Sequence, residues 1–239
     1  MHIDAEALDA SLAALRSGSD SPGLAGYLQR VVGAVEVLFA CDGAGLMIED
    51  PENVLRYVAA SGEPGRTLED AQLHAGQGPC IEAFLHNTPV RTADLPADDR
   101  WPRVGERLHP EVRAVLGVPI RLAGGPVGSL NVYRSEPGPW EDAAVSALCG
   151  YAEVIEQVIG VAVTAVEHST IVDQLQYALK HRVMIERAIG LVMGRHGMDT
   201  ATAFELLRRQ ARDRRERVVN VAAELLGEPA PDGDPKPAT

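Results

Sequence analysis

The 239-residue chain is 46% hydrophobic but only 4% aromatic, so its core must rest on Val, Leu, Ala and Ile. A formal charge of −12 excludes a uniformly basic nucleic-acid binder, yet the charge is uneven. Residues 171–227 hold ten Lys/Arg against seven Asp/Glu, a balance of +3, which leaves −15 for the remainder. Cys41, Cys80 and Cys149 are too few and too scattered for a disulfide framework, and no CxxC or Cys/His metal spacing occurs. The acidic N-terminus lacks an apolar signal core, and the apolar stretch around Val154 to Val166 is interrupted by Glu156 and Gln157. That stretch reads as too short for a bilayer, so a cytoplasmic protein without a membrane partner is expected.

In chain order, residues 1–21 form an N-terminal helical segment closed by Ser19–Asp20–Ser21–Pro22–Gly23. Leu24, Leu28, Val31, Val32, Val35 and Leu38 recur at helical spacing and predict a helix over 24–39. The runs 44–49 and 54–59, separated by Asp50–Pro51–Glu52–Asn53, predict a β-hairpin. Short helices near 67–74 and 80–86 follow, then a strand at 90–92 and a loop through Asp98, Asp99, Arg100, Trp101 and Pro102. Strands at 114–122 and 127–133 meet at Gly124–Gly125–Pro126, which completes an antiparallel α+β body.

From Trp140 to about Gly194 the pattern is helical. Leu148, Tyr151, Ile155, Val158, Ala162, Ala165, Val172 and Leu179 fit a seven-residue seam, which predicts a parallel coiled-coil dimer through a linker helix at 140–170. The competing expectation is a stripe that packs on the chain's own sheet. Further on, Ile171, Leu175, Ala178, Ile185, Ile189 and Val192 continue an apolar stripe broken by Arg182. That arginine either pairs with Glu186 one turn away or offers its guanidinium to a phosphate or base. Gly190 sits within this helix at a cost of about 1 kcal/mol relative to alanine, which points to a close helix crossing.

Asp199 is placed to cap the next helix, with Ala203, Phe204, Leu207 and Ala211 inward. The run RRQARDRRER then brings six arginines between Arg208 and Arg217 against two acids, Asp213 and Glu216. On continuous helical geometry Arg208, Arg212 and Arg215 share a face, with Arg209 at its edge. Such a run is either a solvated surface or a phosphate-binding one. Val218, Val221, Ala222 and Leu225 mark a third helix, and the Pro-rich tail from 228 to 239 reads as disordered.

Residues 171–227 resemble an ANTAR domain, the three-helix RNA-binding module of bacterial transcription antiterminators. The resemblance rests on Ala188–Ile189–Gly190–Leu191–Val192–Met193, the inward residues of the next two helices and an arginine at 182. The chain departs from the family where Arg215 stands, since a polar cap, often Asn, commonly begins the third helix there; Asp213 capping, or fusion of the two helices, are the alternatives. Residues 22–165 resemble a GAF domain of the kind that precedes ANTAR in actinobacterial regulators. Gly76–Gln77–Gly78–Pro79–Cys80, Asp94–Leu95, Arg100–Trp101–Pro102, Val118–Pro119–Ile120 and Gly128–Ser129–Leu130–Asn131–Val132–Tyr133 carry it.

Together the two resemblances imply a non-enzymatic sensor-regulator that binds hairpins in nascent mRNA and acts as a homodimer. The candidate RNA-binding residues are Arg182, Arg187, Arg208, Arg209, Arg212 and Arg215. No catalytic constellation, metal set or cofactor is expected, and a small-molecule GAF effector stays unidentified. Two other readings remain open. One is a DNA-binding helix-turn-helix, although the third helix offers mainly Glu216, Arg217, Asn220 and Glu224 to a duplex. The other is a redox enzyme using Cys80, whose place at a helix N-terminus would lower its thiol pKa unless the residue is simply buried at a tight corner.

Overall fold

A computed structural model describes residues 24–49, 55–122, 125–164, 170–214 and 216–229. The chain divides into two compact units, a larger one and a smaller one that takes up the chain from Gln174. The expected N-terminal segment, the 50–53 turn, Gly124, Arg215 and all but the start of the tail lie outside the described residues.

The larger unit starts with α1 (Leu24–Phe39), whose six predicted apolar residues are all buried. It continues through β1 (Gly43–Glu49), β2 (Leu55–Ala60), α2 (Gly62–Ala75), α3 (Pro79–His86) and β3 (Val90–Thr92). Two short 3-10 turns, Leu95–Ala97 and Gly105–Arg107, lead to β4 (Ala114–Leu122), β5 (Gly125–Arg134) and α4 (Asp142–Thr164). The strands form one sheet in the order β2-β1-β5-β4-β3. The pairs β1–β5, β3–β4 and β4–β5 are antiparallel, with a register shift between Ile120 and Arg121.

Because strand side chains alternate, Ser129, Asn131 and Tyr133 share one face of β5. The helices α2 and α3 rest there: Leu68 and Ala71 join Tyr133, Trp101 and Leu95 in one apolar cluster. Their approach is set by the loop between them. Gly76 (φ +67°) terminates α2 and donates its N–H to the carbonyl of Gln72. Gly78 then takes φ +137°, which side-chain-bearing residues rarely adopt, and Pro79 opens α3. On β4, Gly117 lets the Pro79–Cys80 backbone lie against the strand, since a methyl group there would press on it.

The other helical layer comprises α1 and α4, which pack on each other and against β2 and β4. Their contact includes an edge-on pair, Phe39 with Tyr151, 6.3 Å apart. By length and composition alone, Asp142–Gly160 of α4 is apolar enough to cross a bilayer. Yet Ala144, Leu148, Ala152, Ile155 and Ile159 are buried within the unit. Two positions of the proposed dimer seam, Leu148 and Ile155, are therefore occupied by the chain's own core. The seam positions Ala162, Ala165, Val172 and Leu179 lie outside the described side chains.

Of the expected helix from 140 to 194, α4 and α5 (Thr170–His196) are described, and 165–169 between them lie outside the described residues. After α5 come α6 (Thr200–Arg214) and α7 (Val218–Leu226). Gly197 at φ +65° ends α5. Asp199 caps α6, its Oδ1 accepting from the Thr202 N–H at 2.8 Å. The expected Asp213 cap for α7 is not formed: Asp213 lies inside α6, and Arg217 occupies the cap position with extended backbone. The three helices close on Ile185, Ala188, Ile189, Val192, Ala203, Leu207, Ala211 and the buried side of α7.

Candidate nucleic-acid interface and sensor core

On the smaller unit, five of the six arginines expected to meet RNA can be placed, and Arg215 lies outside the described residues. Arg182 forms an ion pair with Glu186 one turn along α5, at 2.6 Å. Arg187, half exposed, pairs with Glu228 just beyond α7, also at 2.6 Å. On α6, Arg209 is exposed, whereas Arg208 is only 8% exposed. Its guanidinium lies 5.8 Å from the Phe204 ring and donates to Glu205 Oε2 at 3.2 Å. The other oxygen of Glu205 accepts from Arg212 at 2.6 Å.

The predicted common face of Arg208 and Arg212 thus exists, but one carboxylate joins its members. Arg208 is not the open cation that the sequence implied. Its place on α6 over the Phe204 ring, next in the helix to the buried Leu207 and Ala211, accounts for this. Sequence reasoning missed Glu205. Its spacing to Arg208 and Arg212, three and seven residues, puts all three on one side of a helix and was the available signal. It also missed Arg214, which pairs with Glu224 of α7.

Gly190 departs from expectation too. It is exposed, and a methyl group added there would meet nothing within 4 Å. The described packing of the unit therefore gives no reason for a glycine at this point. Val183, 65% exposed, stands on the outside of the same helix.

In the larger unit the distinctive chemistry is interior. Glu69 of α2 is fully buried, and its Oε1 accepts from the Asn131 amide at 2.6 Å. Burial pushes its carboxyl up to about 8, the Asn131 hydrogen bond holding it back and Asp70 adding to the rise. Glu69 Oε2, Asn131 Oδ1 and Ser129 Oγ are all buried and have no hydrogen-bond partner among the described residues. Gly45 on β1 makes room for this arrangement, because a methyl group there would overlap the Glu69 carboxyl. These are the groups that could hold a small polar effector.

Cys80 is fully buried beside them. Gln72 clasps it twice, accepting from its backbone N–H at 2.8 Å and donating to Sγ at 3.0 Å. Burial raises its thiol well above the ordinary range and the Glu69 charge adds to this, against the lowering expected from a helix N-terminus. The buried-corner alternative describes this residue. Cys41 and Cys149 are half-buried free thiols.

Over the same region, the loop after β3 is pinned by charge. Asp98 accepts from Thr92 and Arg100, and the Arg100 hydrogen bonds hold its carboxyl down at about 2. Arg100 stacks on Trp101 at 4.1 Å, and the buried Trp101 indole donates to Glu82 of α3. Asp98 is therefore a structural clasp, and Asp94 is another, paired with Arg113. His74 and His86 are exposed and His109 half-buried; no group of metal-ligating residues occurs among the described residues.

Sheet order, helical layers and the glycine-proline corner together define a GAF fold, and the chain belongs to the GAF domain family, whose model matches residues 23–160. Residues 173–226 match the ANTAR domain. Among curated proteins, the aliphatic amidase regulator of Pseudomonas aeruginosa is 42% identical over 55 residues, 23% of this chain and 28% of the relative. The chain thus spans little more than a quarter of that protein's length. Among solved structures, the GAF domain of an Acinetobacter phosphoenolpyruvate-protein phosphotransferase is 19% identical, covering 68% of this chain and 96% of that one at TM-score 0.51. Free methionine-R-sulfoxide reductase from Neisseria meningitidis, solved with its substrate, is 16% identical, covering 70% and 98% at TM-score 0.53. At such identities these two establish the fold alone. A GAF sensor domain joined to ANTAR, an RNA-binding antitermination module, is the architecture of a regulator.

Proposed function

We propose that this protein binds hairpins in nascent mRNA through residues 171–227 and prevents a terminator from forming, under control of a signal received by residues 22–165. The ANTAR match over the module that carries the arginine-rich helix is the observation that supports it. Single-stranded loop bases supply sequence recognition, and arginine contacts to phosphate supply affinity that falls with salt. Arg209 and Arg212, exposed on α6, and Arg187, half exposed on α5, are the direct contacts. Arg208, largely buried, backs Arg212 at the same phosphate, and Arg182 acts from its pair with Glu186. Such a protein works in the cytoplasm and is not an enzyme. Two modules in a homodimer, joined through the helical linker, engage paired hairpins, and the effector is a small molecule.

The DNA-binding alternative has less support. Five of the nine α7 residues are buried, and Glu224 on its open side is tied to Arg214. Little of α7 remains for a major groove.

Selection of a randomised structured-RNA pool by the full chain, against duplex DNA at two salt concentrations, tests the proposal. Hairpins with shared loop bases should be enriched, and the Arg208→Ala/Arg209→Ala/Arg212→Ala variant should lose them. Duplex DNA held more tightly than any hairpin would refute the RNA assignment.

A further inference from the structure

The cations of α6 already hold an anion. Glu205 places one carboxylate oxygen on Arg212 and the other on Arg208, at 2.6 and 3.2 Å. A carboxylate bridging two guanidiniums offers two acceptor oxygens and one negative charge. The unesterified oxygens of an RNA phosphodiester offer the same. We propose that Arg208 and Arg212 form a seat for one phosphate, that Glu205 is its resident counter-ion, and that RNA displaces Glu205 from Arg212 on binding. This rests on the RNA-binding reading above.

Three features set the direction of the exchange. First, Arg208 is fixed before any ligand arrives, packed at 8% exposure beside the Phe204 ring, so little side-chain freedom remains to be lost. Second, Arg212 and Glu205 are about half exposed, at 52% and 42%; a pair so open to water is weakly held and readily exchanged. Third, Arg209 is exposed beside the seat and makes no ion pair among the described residues, leaving it ready for the neighbouring phosphate. Once RNA is seated, the Glu205 charge lies close to a polyanion and opposes it. Glu205 therefore lowers RNA affinity, and its i, i+3, i+7 spacing on α6 places that brake inside the binding surface.

The test uses the full chain and the hairpin RNA that wild type recovers from the pool. Glu205→Gln keeps an acceptor for Arg208 but removes the charge, and should tighten binding two- to fivefold, the range for an exposed ion pair. Asp213→Asn removes one equal charge from the same helix, at an exposed site without an ion pair among the described residues, and should change binding much less. The gain should vanish when Glu205→Gln is combined with Arg212→Ala, which isolates the pairwise effect. Circular dichroism melts of each variant confirm that α6 is intact. Equal gains from Glu205→Gln and Asp213→Asn would reduce the effect to net charge and overturn the proposal. Weaker binding by a folded Glu205→Gln would also overturn it, by making Glu205 the support that aims Arg212. If wild type retains no hairpin, the RNA reading itself falls and the seat falls with it, an outcome visible before any variant is compared.

Discussion

The larger unit buries a cluster of polar groups against its sheet, whereas the smaller one holds most of its charges in surface pairs, with Arg208 and His181 as its buried polar residues. In the GAF body, Glu69 and Gln72 of α2 and Ser129 and Asn131 of β5 are all buried, and Glu69, Ser129 and Asn131 have hydrogen-bonding capacity left over among the described residues. In the three-helix module the core is aliphatic, while carboxylates and guanidiniums meet in pairs on the surface. An interior polar group responds to what can be enclosed with it, because low dielectric magnifies every unmet bond. Paired surface charges respond to what can replace one partner. The contrast suits a body that senses and a module that grips.

The comparison can be broken most severely at the aliphatic core. Leu207→Ala removes a fully buried side chain from the small module and should cost about 2–5 kcal/mol, enough to open it. Hydrogen exchange should then accelerate in α5, α6 and α7 while β4 and β5 stay protected. Uniform acceleration would show that the two units do not melt separately.

Glu69→Gln sharpens the other half. The Glu69 carboxyl is raised from 4.5 to about 8 by folding, so the folded chain holds its proton where the unfolded chain releases it. Its contribution is complete below pH 4.5 and is lost as pH rises through about 8. Wild type should therefore lose several kcal/mol, on the order of 5, relative to the glutamine variant across that window. Denaturant titrations at three pH values would show it. Parallel pH curves for the two proteins would mean that Glu69 is ionised and matched by a partner.

The smallest effect is expected at Gly190. With open space around it, Gly190→Ala should stabilise α5 by about 0.5–1 kcal/mol. If the same variant also weakens hairpin binding, the glycine serves a partner's approach. Unchanged binding would leave it without a role in the interface.

Much of this contrast was legible in the chain, and the misses share a cause. The α1 stripe could be read directly because six apolar residues at helical spacing determine a face. The inner faces of α6 and α7 were legible for the same reason. Glu69 passed unnoticed because its partner, Asn131, lies 62 residues away on β5. Of the two readings of Cys80, the buried corner holds because Gln72 and burial outweigh the helix terminus. Gly190 was assigned to a crossing because periodicity gives a residue's place on a helix but not which side a neighbour occupies. The arginines were found by composition, while their carboxylate partners needed pairing distances.

The length of α5 has a mechanical consequence. Its 27 residues make a rod of about 40 Å, stiff on the scale of a domain. A twist applied at Thr170 arrives at Val192 as nearly the same twist, carrying the side chains of Arg182 and Arg187 around the axis together. One residue inserted near the start of the rod changes the phase between its ends by about 100°, whereas a seven-residue insertion nearly restores it. Signal transfer along this helix would then be angular, and the two insertions would separate rotation from distance as the quantity that matters.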